Sequence, residues 1–310
     1  MGGIAGEPST GGDPGTGGAN TDPDQRELLL RDEGNSQLHY VNLGNSAANW
    51  HVAVPAGRDM QLVGSGRVMI GTDNGYEEHD IATGAKVAEL TTYAGTLSAH
   101  RLRNRNTMLV GVDWQGQSGI VLAEVDSGGG VVRTIAIAGY DYARLARPTP
   151  SGTFLVTSNR TVLEVNENGD IIWQAAIQYS GEPHSWLAVR LPSGETVVGA
   201  GYAANLQFFS AQGTFLRAIT GPQQVTPNFY AGYQILDNGN FVITNWQGHG
   251  AGNGNLGTQV LEYDPSGNLV WSWHQDATFV SSLQAVIVLD GLDINLLHVD
   301  DTDGTLVPVP

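Results

Sequence analysis

Five residues, Gln61, His100, Arg147, Val189 and Gln234, fall in one column when the short apolar strands that carry them are aligned on the turns that follow. Four of the five are polar, which is unusual for an inward-facing strand position unless water or a ligand occupies the space they face. An arginine offers a planar fork matched to a carboxylate or sulfate, and a histidine can carry a proton near neutral pH. His100 and Arg147 are therefore candidates for binding an anionic or polyhydroxylated ligand. The same column would equally serve to bind buried water and to hold repeating units in register. As catalysts, His100 or His184 would carry the proton and Arg147 would stabilise developing negative charge.

A second constellation repeats in two loops, Asp113-Trp114-Gln115-Gly116-Gln117 and Asn245-Trp246-Gln247-Gly248-His249, the latter running on as Gly250-Ala251-Gly252-Asn253-Gly254-Asn255. Long loops in compact domains are more often functional than ornamental. Trp114 and Trp246 can form apolar platforms for a sugar or an aromatic ring, with Gln115, Gln247 and His249 as polar contacts; packing of each indole between neighbouring units is the competing role. Tyr142, His184, Trp186, Phe229 and Tyr230 occupy other loops that the same alignment brings to this end. Together they make Gln61, His100, Trp114, Arg147, Trp186, Tyr230, Gln234, Trp246 and His249 the candidate ligand-binding set.

His100, His184 and His249 would bind zinc or copper if all three converged, so a bound metal ion is an option, although no cofactor is required by the sequence. His39 and His79 occupy repeat positions filled elsewhere by Val125, Val165 or Tyr263 and read as strand residues. Asp300-Asp301-Thr302-Asp303-Gly304 has part of a calcium loop but lacks its spacing and closing glutamate, and is expected to be an acidic turn. There is no G-x-S-x-G elbow, phosphate loop, H-E-x-x-H pair or dinucleotide fingerprint. This leaves catalysis open, because a site gathered from several repeats carries no local motif.

The elements that position these residues are legible as a repeat. A glycine turn followed by a short apolar strand recurs at Gly44, Gly84, Gly129, Gly169, Gly213 and Gly267, at intervals of 40, 45, 40, 44 and 54 residues. Glu78-His79-Asp80, Glu124-Val125-Asp126, Glu164-Val165-Asn166 and Glu262-Tyr263-Asp264 lead into the turn, and Val131-Val132, Ile171-Ile172-Trp173, Phe215-Leu216 and Leu269-Val270-Trp271 leave it. Each unit is thus a hairpin whose turn chemistry suits positive φ. A further pair of strands precedes each hairpin, as in Ala99 to Leu102 and Thr107 to Val112. Four strands per unit of this length predict an all-β, six-bladed β-propeller. Residues 28 to 55 supply only the later strands of a blade, and Ser281 to Leu289 has the character of the missing inner strand. The first blade is therefore expected to be closed by both termini, which protects an otherwise exposed edge.

Units such as EVDSGGGVV, EVNENGDIIW and EYDPSGNLVW resemble those of bacterial propellers of the YVTN and quinoprotein-like repeat type. His100-Arg101-Leu102-Arg103-Asn104 resembles, over this short stretch, the inner-strand histidine motif of arylsulfate sulfotransferase-like propellers. The resemblance implies the fold; members include binding proteins, lyases, hydrolases and sulfotransferase-like enzymes.

Residues 1 to 25 are dominated by Gly, Pro, Ser, Thr, Asn and Asp and read as a spacer ahead of a single propeller domain over residues 26 to 310. This segment resembles the stretch that follows the lipidated cysteine of bacterial lipoproteins, implying a lipid tether in the native precursor and an extracytoplasmic location, periplasmic, outer-membrane-anchored or secreted. No apolar run is long enough to cross a bilayer as a helix. With 14 basic and 31 acidic residues the formal charge is −17, which disfavours nucleic acid as a partner. The absence of cysteine excludes disulfides, thiolate metal sites and a cysteine nucleophile. The expected function is non-catalytic binding of a saccharide, small polar ligand or protein at one channel mouth. The runner-up is a lyase, hydrolase or sulfotransferase, and a third option is a protein-binding scaffold whose channel holds only water.

Overall fold

The computed structural model describes residues 22–221 and 225–310. Within them the chain forms six antiparallel sheets, five of four strands and one of six. Successive sheets touch through their inner strands, and the last returns to the first, making a six-bladed β-propeller. Leu283–Val288 is the inner strand of blade 1 and pairs antiparallel with Glu27–Asp32, so strands from both ends of the chain close that blade as expected. The inner strands of blades 2 to 6 are Met60–Gly64, Ser98–Arg101, Ala146–Pro148, Ala188–Arg190 and Phe229–Ile235. The expected spacer over residues 1 to 25 falls outside the described residues except for its end, where Pro23–Gln25 form a 3₁₀ turn capped by the Asp22 carboxylate.

The repeat seen in the sequence is the turn between third and fourth strands. Asp126 Oδ1 accepts from the N–H groups of Gly128 and Gly130, both at 2.9 Å. Asn166, Ser210 and Asp264 make the same pair of side-chain bonds in blades 4, 5 and 6. The glycine that follows must take a left-handed conformation, with φ of 80° at Gly129 and 89° at Gly267. A register shift precedes the turn in blades 2 to 6. Gly44 departs from this pattern: blade 1 uses a wider connection holding a 3₁₀ turn at Ser46–Ala48, and Gly44 is not left-handed.

Middle strands are packed on both faces. Ile120–Val125 is buried at every position, whereas the outer strand Val131–Ile137 opens with three exposed residues. Glutamates of the repeat also tie blades together. Glu78 pairs with Arg101 of blade 3 at 2.8 Å, Glu164 with Arg190 of blade 5 at 2.5 Å, and Glu262 with Arg26 of blade 1 at 2.7 Å.

The segment after the closing strand was not anticipated. Leu297–Val299 and Val307–Val309 form a hairpin that joins the inner strand of blade 2 through Leu297 and Val63. It then crosses the channel mouth framed by the turns between first and second strands. Asp300 meets Arg147 of blade 4, Asp301 meets Arg103 of blade 3, Gly304 packs on Val189 and Leu191 of blade 5, and Thr305 bridges to Ile235 of blade 6. Leu306 packs on a cluster shared by blades 1 and 2 that includes Leu29, Ile287 and Leu62.

Candidate functional site

The five-residue column is real in space. Gln61, His100, Arg147, Val189 and Gln234 all line one cavity of about 40 Å³, closed over by Asp300, Gly304 and Leu306 of the C-terminal hairpin. A cavity of that size has room for about one or two waters. Its polar groups are largely engaged by neighbouring blades. Gln61 donates to the carbonyls of Arg101 and His298 at 3.0 and 2.9 Å and accepts from the Arg101 N–H at 2.6 Å. Gln234 Oε1 accepts from Val288 N–H at 2.7 Å, joining blade 6 to blade 1. Arg147 lies against Asp59 at 2.7 Å and Asp300 at 3.0 Å. Burial works against its charge, but the two carboxylates outweigh burial and hold the guanidinium's pKa above its ordinary value. Burial, then the Arg147 charge, push His100 well below the usual imidazole range, so it is neutral at pH 7.

The opposite mouth is framed by the inter-blade loops and the loops between second and third strands. It holds a cavity of about 180 Å³ lined by Arg144, Glu182, His184, Trp186, Tyr202, Phe229, Trp246, His249 and Gln284. Arg144 precedes the inner strand of blade 4, and its guanidinium lies 4.7 Å from the Trp186 ring centre and 5.2 Å from that of Tyr142. Its Nη2 donates to His184 Nδ1 at 2.7 Å. With Nδ1 accepting, the ring proton sits on Nε2, 3.1 Å from Glu182 Oε1. Burial, and then the Arg144 charge, lower the His184 pKa, which keeps this neutral tautomer in place. Burial also pushes Arg144 itself down to about 10.

Aromatic rings form the wall beyond. Phe229 meets Tyr202 at 4.7 Å, Trp246 at 5.2 Å and Trp186 at 5.4 Å, each edge-on. At the rim Glu33 accepts from Trp246 Nε1 at 3.2 Å and from His249 Nδ1 at 2.8 Å. Two deeply buried wall residues keep unsatisfied atoms, Trp186 Nε1 and Gln284 Oε1, as does the Arg144 Nε.

No protein-family model matches the chain, and no curated protein matches it in sequence. Its likeness is to solved structures. A protein of unknown function from Bacteroides caccae superposes with a TM-score of 0.68 at 20% identity, covering 85% of this chain and 98% of that one. A streptogramin B lyase superposes at 0.53 and 12% identity over 85% of each chain. Regucalcin, a calcium-binding protein from Agrobacterium tumefaciens, superposes at 0.50 and 15% identity over 73% of this chain and 80% of that one. The shared feature is the propeller. At these identities the likeness establishes the fold alone.

The candidate residues divide between the two ends of the propeller channel. His184, Trp186, Trp246 and His249 share the open cavity, whereas Gln61, His100, Arg147 and Gln234 line the closed one. His100 is thereby separated from His184 and His249, and among the described residues no three His, Asp or Glu side chains are arranged to hold a metal ion. Trp114 stays apart: its ring lies over Gly111, where a Cβ would come within 2.2 Å, and its Nε1 donates to Ala94 O at 3.0 Å. Tyr230 is fully buried with its hydroxyl on that of Tyr263 at 2.7 Å, so it backs the wall without reaching the cavity. Asp300-Asp301-Thr302-Asp303-Gly304 lies in the connection between the two hairpin strands, and its first two carboxylates are salt-bridge partners of Arg147 and Arg103. Sequence reasoning missed Arg144, Glu182, Tyr202 and Gln284, because each lies in a loop or at a strand end outside the phase of the repeat. Arg144 carried one signal: it stands one turn-length before Arg147, beside Tyr142.

Proposed function

We propose that this protein is an extracytoplasmic, non-catalytic propeller that binds a saccharide or another small polar ligand in the open mouth of its channel. The observation that carries this reading is the asymmetry of the two mouths. One is filled by the C-terminal hairpin and its ion pairs; the other keeps a cavity walled by aromatic rings with a few convergent polar groups, the usual character of a small-ligand site. Non-catalysis is favoured by His184, whose two ring nitrogens are both engaged, one by a permanent cation. The composition of residues 1 to 25 supports a spacer and an extracytoplasmic setting.

The enzyme alternative has one observation in its favour. His249 is oriented by the Glu33 carboxylate through Nδ1, which leaves Nε2 free at the rim as a proton carrier. A streptogramin B lyase shares the fold, so lyase activity belongs in any activity screen. Glycan and small-molecule arrays, followed by product analysis of every hit, test the proposal. Reversible binding with ligand recovered intact is expected; turnover abolished by His249→Ala would replace this reading with the alternative.

A further inference from the structure

Eight of the fourteen basic side chains of this protein are neutralised in place. Arg26, Arg67, Arg101, Arg103, Arg133, Arg147 and Arg190 each touch a carboxylate, as does Lys86. Arg31, buried at 1% exposure, is instead held by the backbone carbonyls of Asp32, Gln37 and Pro55, and Arg160 by those of Ile177, Tyr179 and Gly181. Arg144 has neither arrangement. Among the described residues its one hydrogen-bond partner is the neutral His184, its Nε is unsatisfied, Arg58 adds a second positive charge nearby, and the exposed Glu182 carboxylate, bonded to His184, acts on it only from beyond contact.

A half-buried guanidinium with no carboxylate in contact is costly, and it is retained here at the wall of a cavity. The 3%-exposed Trp186 lies under it with its own N–H unsatisfied, so two donors at the same wall lack acceptors. The opposite wall offers Gln284 Oε1 as an unsatisfied acceptor, and Tyr202 and Phe229 supply ring edges.

Building on the proposed function, we infer that the ligand of the open mouth is a ring-bearing carboxylate whose anion neutralises Arg144. The carboxylate takes the free guanidinium face, a second oxygen on the ring accepts from the Trp186 indole, a hydroxyl donates to Gln284, and the ring lies against Tyr202 and Phe229. Charge-assisted bonds to a half-buried arginine are the stronger kind, and they distinguish an acid from its neutral counterpart. Two ligand sources share this chemistry: a sugar acid and an aromatic acid.

The test is calorimetric titration of the full chain with glucuronate against glucose, and with 3,4-dihydroxybenzoate against 3,4-dihydroxybenzyl alcohol, repeated on Arg144→Gln and Arg144→Lys, with thermal melts confirming that each variant folds. At least one acid is expected to bind about tenfold or more tightly than its neutral partner. That preference should vanish in Arg144→Gln and be only partly restored by Arg144→Lys, which returns the charge without the fork. Preference for glucuronate assigns a sugar acid, and preference for dihydroxybenzoate an aromatic one. If acid and neutral partner bind alike and Arg144→Gln changes nothing, this inference fails while the binding role of the mouth stands. If none of the four compounds binds and glycan arrays are also blank, both fail.

Discussion

Arg144 and Arg147 lie three residues apart where the chain enters blade 4, yet they end in opposite mouths of one channel and meet opposite electrostatic solutions. Arg147 is clamped between Asp59 and Asp300, two carboxylates brought from blade 2 and from the C-terminal hairpin. Arg144 lies on Trp186 and touches a neutral histidine. The comparison teaches that burial of a polar residue in a propeller channel does not by itself mark a site. What distinguishes the two ends is whether the protein supplies the counter-charge itself. Where it does, the arginine is a tie between blades; where it does not, the charge is left for something else to meet.

The largest expected effect comes from breaking the sealed end. Arg147→Met should leave Asp59 and Asp300 buried without their cation and cost about 3–5 kcal/mol in denaturant unfolding. A loss below about 1 kcal/mol would show that the hairpin is not held by this network. The pH dependence sharpens the same contrast. His100 is neutral in the fold because burial and Arg147 lower its pKa below its ordinary value, so the unfolded chain binds the proton first. Its contribution is therefore fully present above about pH 6.5 and is lost as pH falls below that value toward the folded pKa, by up to about 1.4 kcal/mol per pH unit. Asp300, raised by burial, titrates in the opposite sense, so the difference between wild type and His100→Gln isolates the histidine. Urea midpoints of the two proteins should diverge between pH 7 and pH 5, with the variant less pH-sensitive.

At the open end the effects on stability should be small. Tyr202→Ala removes an exposed ring from the cavity wall and is expected to weaken a bound ligand by about 0.5–1.5 kcal/mol, read by calorimetry, with the melting temperature nearly unchanged. Arg144→Gln exchanges two cation–π contacts and one hydrogen bond for relief of desolvation. Unfolding free energies should therefore stay within about 1 kcal/mol of wild type, in either direction. A loss comparable to that of Arg147→Met would erase the distinction between the two arginines.

Much of the fold was legible because it repeats. The Asx-glycine turns at Asp126, Asn166 and Asp264 signal themselves through residue type and spacing, and the apolar run from Ser281 to Leu289 announces a closing strand. The column from Gln61 to Gln234 could be aligned for the same reason. What could not be read is what faces that column. Asp300 lies 153 residues from Arg147 in sequence and belongs to no repeat, so the counter-charge was invisible until the hairpin was placed. The aromatics Trp186, Phe229 and Trp246 were recognisable by type, but Phe229 opens the inner strand of blade 6 and Trp246 ends that blade's second strand, where loops were expected. Trp114 and Trp246 occupy equivalent positions in the repeat, but Trp114 folds back over Gly111 whereas Trp246, at a strand end, turns toward Glu33, a difference set by neighbours outside the motif.

The most direct test of one sealed and one receptive mouth is hydrogen–deuterium exchange of the full chain, with and without the carboxylate ligand found by titration. Residues 297–309 should exchange slowly in both states, while residues 182–187 and 246–257 exchange faster and gain protection on ligand binding. Ligand-dependent protection in the hairpin, with none at the loops around Arg144, Trp186 and Trp246, would contradict the account.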